Sequence, residues 1–441
     1  MKFPIEPKTF FSHQCFNAVG HGTFFNGLVF DTSGNNSFCW VYDCGSKSTK
    51  RIAQEITCLE DWSQWPKEID LLVLSHFDND HVNGVEQLLK SRRVRNLALP
   101  YMNIGQSLAC AASVGTDPCS ASTAVFQIDP SGWLQSRGLS GQVDTILQVQ
   151  GGPGGDNDPP IDEAAPLPSG RPDVSQRGGD ARPDAKGTAA PDHTSANDRI
   201  GNTAAAPTLV SWRHTTAVVE NGIPLELAFF NTTQPDLFRN DARGGLLARR
   251  SGKPISIVQE EVDYVLKSYG LHALSCPPRK KWRDALRGVY ESNFGSSSQQ
   301  RNNISLCLLV RPVGEIYPLG FPVHKRTFRA AIPHMVEIKK RAGTLLLGDL
   351  RIDRATLGKM RHHFGHARWE NLGTVQVPHH GSRNSWESGV AAEFGPDRFI
   401  HCVPDSSIHH PHKDVNDDLS VANVHRADYK TSVVSDFFIF A

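Results

Sequence analysis

Short runs of β-branched and aromatic residues bounded by turn residues predict strands in two parts of the chain. In the first part, residues 24–30 and 38–43 flank the turn sequence SGNN and predict a hairpin. Residues 69–75, IDLLVLS, form an apolar run typical of a strand buried on both faces. Apolar spacing then predicts a helix from about 83 to 92, and a short strand follows over 96–99. The chain therefore begins with a hairpin followed by a βαβ unit.

The second part of the chain returns to strands after a helical region. Residues 224–230 predict a strand, whereas residues 255–269 and 279–292 carry the apolar spacing of helices. Five more strands are predicted in the last third, over 305–310, 343–347, 374–377, 398–403 and 433–440. The middle three of these strands end in polar side chains that are able to bind a metal ion.

Residues 151–207 separate the two parts and lack the side chains for a core. These 57 positions hold nine Pro, nine Gly and no aromatic residue. Such a segment buries too little apolar surface to offset its ordering entropy, so we expect it to be disordered. Two independent domains on a linker and one domain with a long looped insertion both fit this pattern.

Charge and cysteine usage narrow the class of protein. Lys plus Arg and Asp plus Glu number 46 each, so the 441-residue chain has a formal net charge of zero. This argues against a broadly basic surface for non-specific nucleic-acid binding, but leaves a local basic groove open. The nine cysteines include no C-x-x-C pair, which favours a reducing compartment over a disulfide framework or a zinc finger. With no signal-peptide pattern and no 18-residue apolar run, we expect a cytoplasmic protein without membrane association.

The strongest chemical signal directly follows the strand predicted over 69–75. The sequence SHFDNDH places two histidines and two carboxylates within six residues, namely His76, Asp78, Asp80 and His81. A loop at the carboxyl end of a strand can turn alternate side chains inward, and imidazole and carboxylate are ligands for zinc, manganese or iron. We interpret this segment as a metal site, with a polar, solvated loop as the alternative.

A second cluster, VPHHGSRNS over 377–385, also follows an apolar strand. Adjacent histidines point in opposite directions if the backbone stays extended, so we expect one of them to face the metal and favour His379 over His380. Gly381 and Ser382 would let the backbone turn into a helix whose N-terminal amides could receive a phosphate oxygen. A surface turn with two incidental histidines is the alternative.

Two further signals follow other predicted strands. The sequence TLLLGD ends in Gly348 and Asp349, and a carboxylate at that position could bridge two metal ions. His410 follows the strand over 398–403 and could act as a second-sphere group or as a general acid. Each of these patterns also occurs in ordinary turns.

In this order, the motifs resemble the metallo-β-lactamase fold hydrolases, and within them the catalytic domain of ComEC-type DNA-uptake proteins. The matching segments are VGHG at 19–22, YDCGS at 42–46, SHFDNDH at 75–81, NNISL at 302–306, LGD at 347–349, VPHHGS at 377–382 and HPH at 410–412. The family usually has Gly-Gly where this chain has Asn83-Gly84. The membrane segments of full-length ComEC proteins are absent from the sequence, so we do not expect DNA uptake through a channel. Family members without membrane segments also occur beside bacterial defence genes.

The resemblance implies an α/β fold, the αββα sandwich of the metallo-β-lactamase family. Motifs before and after the proline- and glycine-rich segment then contribute to one site. We therefore expect a single domain over 1–441, built from about 10–100 and 300–441. Residues 101–299 would be an insertion within it, of which 151–207 are disordered.

The resemblance also implies roles for the site residues. The expected metal ligands are His76, Asp78, Asp80, His81, Asp349 and one of His379 and His380. The expected catalytic residues are Asp80 and His410, and the expected substrate contacts are Asn303, Ser305, Ser382 and Arg383. Such a donor set is sufficient for two divalent ions about 3.5–4 Å apart, with a bridging hydroxide as the nucleophile. Asp78 stands where the wider superfamily has a histidine, and this oxygen donor favours Mn²⁺ as a competent ion, with Zn²⁺ expected in purified protein.

For the substrate, the resemblance implies phosphodiester hydrolysis and favours a nuclease. Basic runs at 92–95, 279–283 and 339–341, the second of them around Trp282, are candidate nucleic-acid contacts or solvated helix faces. A hydrolase of small esters, thioesters, lactams or cyclic nucleotides is the alternative enzyme. A non-catalytic, metal-binding partner in a multiprotein defence system is the alternative outside enzymes, with the insertion as the surface that meets a protein partner.

Overall fold

The computed structural model describes the chain over residues 8–34, 36–102, 104–111, 118–150, 164–167, 206–212, 216–219, 222–232, 238–241, 245–271, 281–295, 305–318, 341–420 and 422–441. The predicted substrate contact Asn303 lies outside these ranges. The predicted disorder of 151–207 also lies outside them, apart from residues 164–167 and 206–207.

The strands of the described residues run through the whole chain. They are β1 (Thr9–Phe16), β2 (Phe25–Asp31), β3 (Ser37–Tyr42), β4 (Glu68–Val73), β5 (Arg93–Pro100), β6 (Val143–Val149), β7 (Ala164–Pro166), β8 (Thr208–Trp212), β9 (Thr216–Val218), β10 (Leu225–Phe230), β11 (Phe238–Asn240), β12 (Leu246–Ala248), β13 (Cys307–Pro312), β14 (Glu315–Pro318), β15 (Gly343–Leu346), β16 (Leu372–Gln376), β17 (Arg398–Cys402), β18 (Val424–Ala427) and β19 (Val433–Phe440).

The helices lie between these strands, and several are short. They are α1 (Thr49–Asp61), α2 (Asn79–Val82), α3 (Val85–Ser91), α4 (Ile104–Ala111), α5 (Pro118–Ile128), α6 (Pro130–Ser136), α7 (Ile255–Ser268), α8 (Trp282–Asn293), α9 (Arg354–Phe364), α10 (His366–Trp369), α11 (Val390–Phe394) and α12 (Lys413–Asp418).

Two large sheets form the centre of the fold. The first has the strand order β14-β19-β1-β2-β3-β4-β5-β6-β8, and the second has the order β18-β17-β16-β15-β13-β10-β9-β7. Strands β3, β4, β5, β6 and β8 run parallel in the first sheet. Strands β15 to β18 run parallel in the second. Each sheet therefore has a block of strands whose carboxyl ends share one edge.

Three apolar clusters show how the layers pack. One lies between the first sheet and helices such as α1, α3 and α7, and a second lies between the two sheets. The third lies between the second sheet and helices that include α9 and α11. Helices thus cover both outer faces of two stacked sheets. This confirms the αββα class predicted from the sequence.

Alternation along β4 shows why its apolar run belongs in the middle of the sandwich. Leu72 packs in the helix-covered cluster, whereas Leu71 and Val73 on either side of it pack between the sheets. A strand buried on both faces needs apolar residues at successive positions, which is the pattern of this run.

Residues from the range 101–299 enter both sheets. Strands β6 and β8 extend the first sheet, and β10 pairs with β13 in the second. Within the described ranges, no helix combines the length and apolar composition required to cross a bilayer.

Candidate metal centre

The polar side chains singled out in the sequence gather where parallel strands end. The segment SHFDNDH follows β4, Asp349 follows β15, and the two adjacent histidines follow β16. The carboxyl ends of parallel strands in an α/β fold are the usual place for a ligand site. Loops from both sheets therefore converge on one region.

The first group consists of His76, His81 and Asp349. Their donor atoms lie within 4.8 Å of one another. The Nε2 atom of His76 is 3.5 Å from Oδ2 of Asp349, and the Nε2 atom of His81 is 3.2 Å from its Oδ1. Two imidazoles and one carboxylate thus face a common point.

The second group consists of His21, Asp80 and His380, again with donor atoms within 4.8 Å of one another. Oδ2 of Asp80 lies 3.3 Å from Nε2 of His380 and 3.9 Å from Nε2 of His21. The ring centroids of His81 and His380 are 5.6 Å apart, so the two groups adjoin.

Several of the inward-facing atoms have no hydrogen-bond partner in the part of the chain that the structure describes. Nε2 of His76, Nε2 of His81, Nε2 of His380 and Oδ1 of Asp349 are buried without a hydrogen-bond partner among the described residues. Buried polar atoms are rarely left unpaired in folded proteins. Imidazole nitrogens and carboxylate oxygens are ligands for zinc and manganese. The donor set therefore fits divalent cations.

The other ring nitrogen of each of these histidines is fixed by a neighbour. Nδ1 of His81 donates to Oδ2 of Asp43 at 2.7 Å, and Nδ1 of His380 donates to the carbonyl oxygen of Cys402 at 2.8 Å. Nδ1 of His76 lies 2.8 Å from Oγ of Ser75. In a neutral imidazole with its proton on Nδ1, the lone pair is on Nε2, the atom that faces the site. Burial lowers the pKa of His81, but Asp349 and Asp43 outweigh it and raise this pKa well above its ordinary value, so a cation bound in the first group would displace the proton from Nε2 of His81.

Asp43 supports the first group from behind. Its carboxylate is fully buried and accepts hydrogen bonds from the backbone nitrogen and the hydroxyl of Ser75, each at 2.7 Å, in addition to the bond from His81. Because the single hydroxyl hydrogen of Ser75 goes to Asp43, that hydroxyl accepts from Nδ1 of His76. One carboxylate therefore orients both histidines of the first group.

The contacts within the groups set the charges of the site. Burial raises the pKa of Asp349, but His76 and His81 outweigh it and hold this pKa well below its ordinary value. Burial also raises the pKa of Asp80, yet His380 and His81 keep it below the ordinary value. For His21, burial lowers the pKa to about 3, reinforced by His380 and Lys47. At neutral pH both carboxylates are ionised and His21 is neutral, the forms that bind a cation.

Two glycines permit the close backbone approaches that shape the site. A Cβ atom on Gly45 would lie 2.4 Å from the backbone nitrogen of His81. Gly348 has a φ of +55°, and a Cβ there would lie 2.3 Å from Oγ of Ser305. A side chain at either position would push the loop that carries His81 or Asp349 out of place.

The adjacent histidines do not follow the extended backbone assumed in the sequence analysis. His379 and His380 have φ values of 47° and 56°, in the left-handed region, within the turn Pro378–Gly381. The structure brings His380 into the second group, whereas Nε2 of His379 lies 3.6 Å from Oδ2 of Asp349. The side chain of His380 is 3% exposed and that of His379 is 43% exposed.

The other predicted residues lie around these groups. The Asp78 side chain is 62% exposed, with Oδ2 3.7 Å from Nε2 of His76. Ser305 is buried, and its hydroxyl accepts from the backbone nitrogen of Asp349 at 3.1 Å, so it lies behind that residue. The hydroxyl of Ser382 accepts from the backbone nitrogen of Asn384 at 3.4 Å.

Arg383 and His410 lie further out. The guanidinium of Arg383 is exposed and pairs with Asp414, with Nε 3.2 Å from Oδ2. The ring of His410 lies 5.5 Å from the ring of His21, at the edge of the second group. Burial, with smaller contributions from His380 and His379, lowers the pKa of His410 to about 4.

The arginines of the basic run at 92–95 make contacts within the fold. Arg92 is buried, Arg93 pairs with Asp144 at 2.7 Å, and Arg95 pairs with Glu68 and Asp70. Trp282 in the second run is also buried, so its ring is not available to stack on a base. Residues 279–280 of the second run and 339–340 of the third lie outside the described residues, so nucleic-acid contact by these runs stays a prediction.

Residues 29–99 match the family model of the metallo-beta-lactamase superfamily. A search of curated proteins finds no match. The matched range covers the strands from β3 to β5 and includes His76, Asp78, Asp80 and His81. Together with the two His/Asp groups, the match indicates a metal-dependent hydrolase.

Proposed function

We propose that the protein is a metal-dependent phosphodiesterase, with nucleic acid as the first substrate class to test. The observation that supports this most is the pair of adjoining groups whose buried Nε2 and carboxylate atoms lack partners among the described residues. Two cation positions side by side suit the displacement of a group from phosphorus, because both the attacking and the leaving oxygen need stabilisation.

In this proposal, His76, His81 and Asp349 hold one divalent cation, and His21, Asp80 and His380 hold the other. Zn²⁺ and Mn²⁺ are the candidate ions. When bound, the cations would supply Lewis-acid stabilisation of a phosphoryl oxygen and a nucleophile at neutral pH. Asp78 is near enough to His76 to join the first group after a change of rotamer.

The residues of the chain then have separate tasks. Asp43, Ser75 and the carbonyl group of Cys402 hold the histidine rings with Nε2 towards the cations. The hydroxyl of Ser305 fixes the backbone of Asp349. His410 is the proposed proton carrier, because its ring stands at the edge of the second group and its Nδ1 is buried without a partner among the described residues.

The test is an assay of metal-stripped protein reloaded with Mn²⁺ or Zn²⁺. The substrates are bis-p-nitrophenyl phosphate, single-stranded DNA, double-stranded DNA, RNA, a simple ester and a β-lactam. Asp80→Asn is the control that keeps the shape of the side chain. We expect cleavage that requires cation and falls at least about a hundredfold in Asp80→Asn. Activity on esters or lactams without any diester would instead support a small-molecule hydrolase. Bound cation without turnover of any substrate would support a non-catalytic protein.

A further inference from the structure

Lys47 brings a positive charge to the edge of the second group. Its Nζ atom lies 2.6 Å from Nε2 of His21 and 4.0 Å from Oδ2 of Asp80. Among the lysines and arginines that the structure describes, it is the one with a side-chain nitrogen within 4.0 Å of a carboxylate of either group. The ammonium therefore occupies a place where a positive charge is favoured.

The backbone of Lys47 is fixed, whereas its side chain reaches solvent. The backbone nitrogen of Lys47 donates to the carbonyl oxygen of His21 at 2.7 Å. The preceding Ser46 hydroxyl donates to the carbonyl oxygen of Val19 at 2.7 Å and accepts from the backbone nitrogen of Ser48 at 2.9 Å. The side chain of Lys47 is nevertheless 58% exposed. Its ammonium can thus change direction while its Cα atom stays beside the site.

Other cationic side chains nearby have partners. Arg383 pairs with Asp414, and the guanidinium of Arg51 lies over the ring of Tyr429, 5.8 Å from its centroid. The site itself contributes Asp78, Asp80 and Asp349, which repel an anionic ligand unless positive charge offsets them. Bound divalent cations would offset these charges, and a basic side chain at the rim adds a positive charge that an anionic ligand meets as it enters.

We propose that Lys47 binds an anionic oxygen of the substrate and so selects phosphoesters over neutral esters at this site. This inference rests on the proposed function and names the charge class of its substrate. A cation in the second group would repel the ammonium from His21 towards the solvent side, where a substrate enters. There the ammonium would donate charge-assisted hydrogen bonds to a phosphate oxygen.

The first test is a calorimetric titration of Mn²⁺-loaded protein with inorganic phosphate, after metal content has been measured for each variant. We expect Lys47→Met to weaken phosphate binding about tenfold and Lys47→Arg, which keeps the charge, to stay within about threefold of the wild type. Lys50→Met is the matched control, since Lys50 is an exposed lysine in α1, and should bind phosphate as the wild type does. Equal binding by the wild type and Lys47→Met, or no binding by the wild type, would overturn the inference.

A second test separates this inference from the proposed function. The ratio of kcat/KM for bis-p-nitrophenyl phosphate, an anion, to that for p-nitrophenyl acetate, a neutral ester, should fall about tenfold in Lys47→Met, mainly through KM. If kcat/KM in Lys47→Met falls equally for both substrates, the inference fails while the proposed function stands. If the wild type hydrolyses neither substrate but binds phosphate in a Lys47-dependent way, the proposed function fails while the anion site stands.

Discussion

The buried carboxylate of Asp43 accepts three hydrogen bonds, two from Ser75 and one from Nδ1 of His81. Asparagine has a similar shape and tolerates the left-handed backbone at this position, but it lacks the charge that orients His81. We therefore expect Asp43→Asn to weaken cation binding about 10- to 100-fold, the usual effect of losing a group that orients a metal-binding histidine. Calorimetric titration of metal-stripped protein with Zn²⁺ measures the change.

Asp144→Asn is the matched control for Asp43→Asn. Asp144 is also a buried carboxylate, but it pairs with Arg93 near the amino ends of the parallel strands, at the opposite end of the sheet from the groups. The cation affinity of the Asp144→Asn variant should equal that of the wild type. Wild-type affinity in Asp43→Asn would show that Asp43 serves the fold rather than the metal centre.

His379 and His380 allow a comparison between neighbours. Nε2 of His380 points into the second group without a partner among the described residues, whereas His379 is half-exposed and its Nδ1 lies 3.0 Å from Oγ of Ser385. We expect His380→Ala to lose one bound cation per molecule and His379→Ala to keep the wild-type content. Inductively coupled plasma mass spectrometry of dialysed protein gives these contents. Loss of a cation from His379→Ala alone would reverse the assignment.

The sequence alone identified those residues of the two groups that lie in short motifs dense in metal-binding side chains. His76, Asp80 and His81 lie within one short segment, and Asp349 and His380 lie in motifs at strand ends. His21 was missed as a candidate ligand because a lone histidine between glycines has no spacing to analyse, and its partners come from distant parts of the chain. The expectation that one of the two adjacent histidines faces the metal depended on an extended backbone, whereas both residues have positive φ values, and His380 rather than the favoured His379 lies in the second group.

At the scale of elements, Glu226 ties β10 to its neighbours. Its carboxylate accepts from Nε of Arg311 in β13 at 2.6 Å and from Nη2 of Arg368 in α10 at 2.8 Å. Burial raises the pKa of Glu226, but the two arginines outweigh it and bring the pKa below its ordinary value. The stabilisation is therefore present above the unfolded pKa of about 4.3 and is lost as the pH falls through the lower, folded pKa.

We expect Glu226→Gln to lower the free energy of unfolding by about 1–3 kcal/mol at pH 7. Urea unfolding of the wild type and the variant should show a constant difference above about pH 5 that shrinks at lower pH. Glu260→Gln, which changes an exposed residue of α7, should leave the free energy of unfolding unchanged both above and below about pH 5. A difference between the wild type and Glu226→Gln that does not depend on pH would mean that the ion pairs do not stabilise the sheet.

Continuous apolar runs made the central strands predictable, whereas buried polar residues concealed other strands. The runs that became β4 and β13 needed no knowledge of their neighbours, because strands buried on both faces carry apolar residues at successive positions. β1 gave no such signal, since its inward positions include Ser12 and Gln14. Gln14 accepts a hydrogen bond from the hydroxyl of Thr344 at 2.7 Å, across the sheets. A buried polar pair of this kind becomes visible only when both strands are in place.

At the scale of the whole molecule, each group joins the two sheets. His21, His76, Asp80 and His81 lie in segments that follow strands of the first sheet, and Asp349 and His380 lie in segments that follow strands of the second. The motif order predicted that segments far apart in the chain would meet. It did not predict that β6, β8 and β10 would extend the sheets, because their pairing depends on contacts with distant strands rather than on a local pattern.

Because each group spans the sheets, bound cations should stabilise the whole fold. A ligand that binds only the folded state at a hundredfold excess over its Kd contributes about 2.7 kcal/mol, which corresponds to a rise in Tm of about 3 °C for a chain of this size. Thermal unfolding of metal-stripped protein with and without Zn²⁺ or Mn²⁺ measures this rise, and chelator should reverse it. The double variant His76→Ala/His380→Ala removes one ligand from each group and should unfold at the same temperature under all of these conditions. A wild-type Tm that does not respond to cation would show that the two groups do not hold metal in the folded protein.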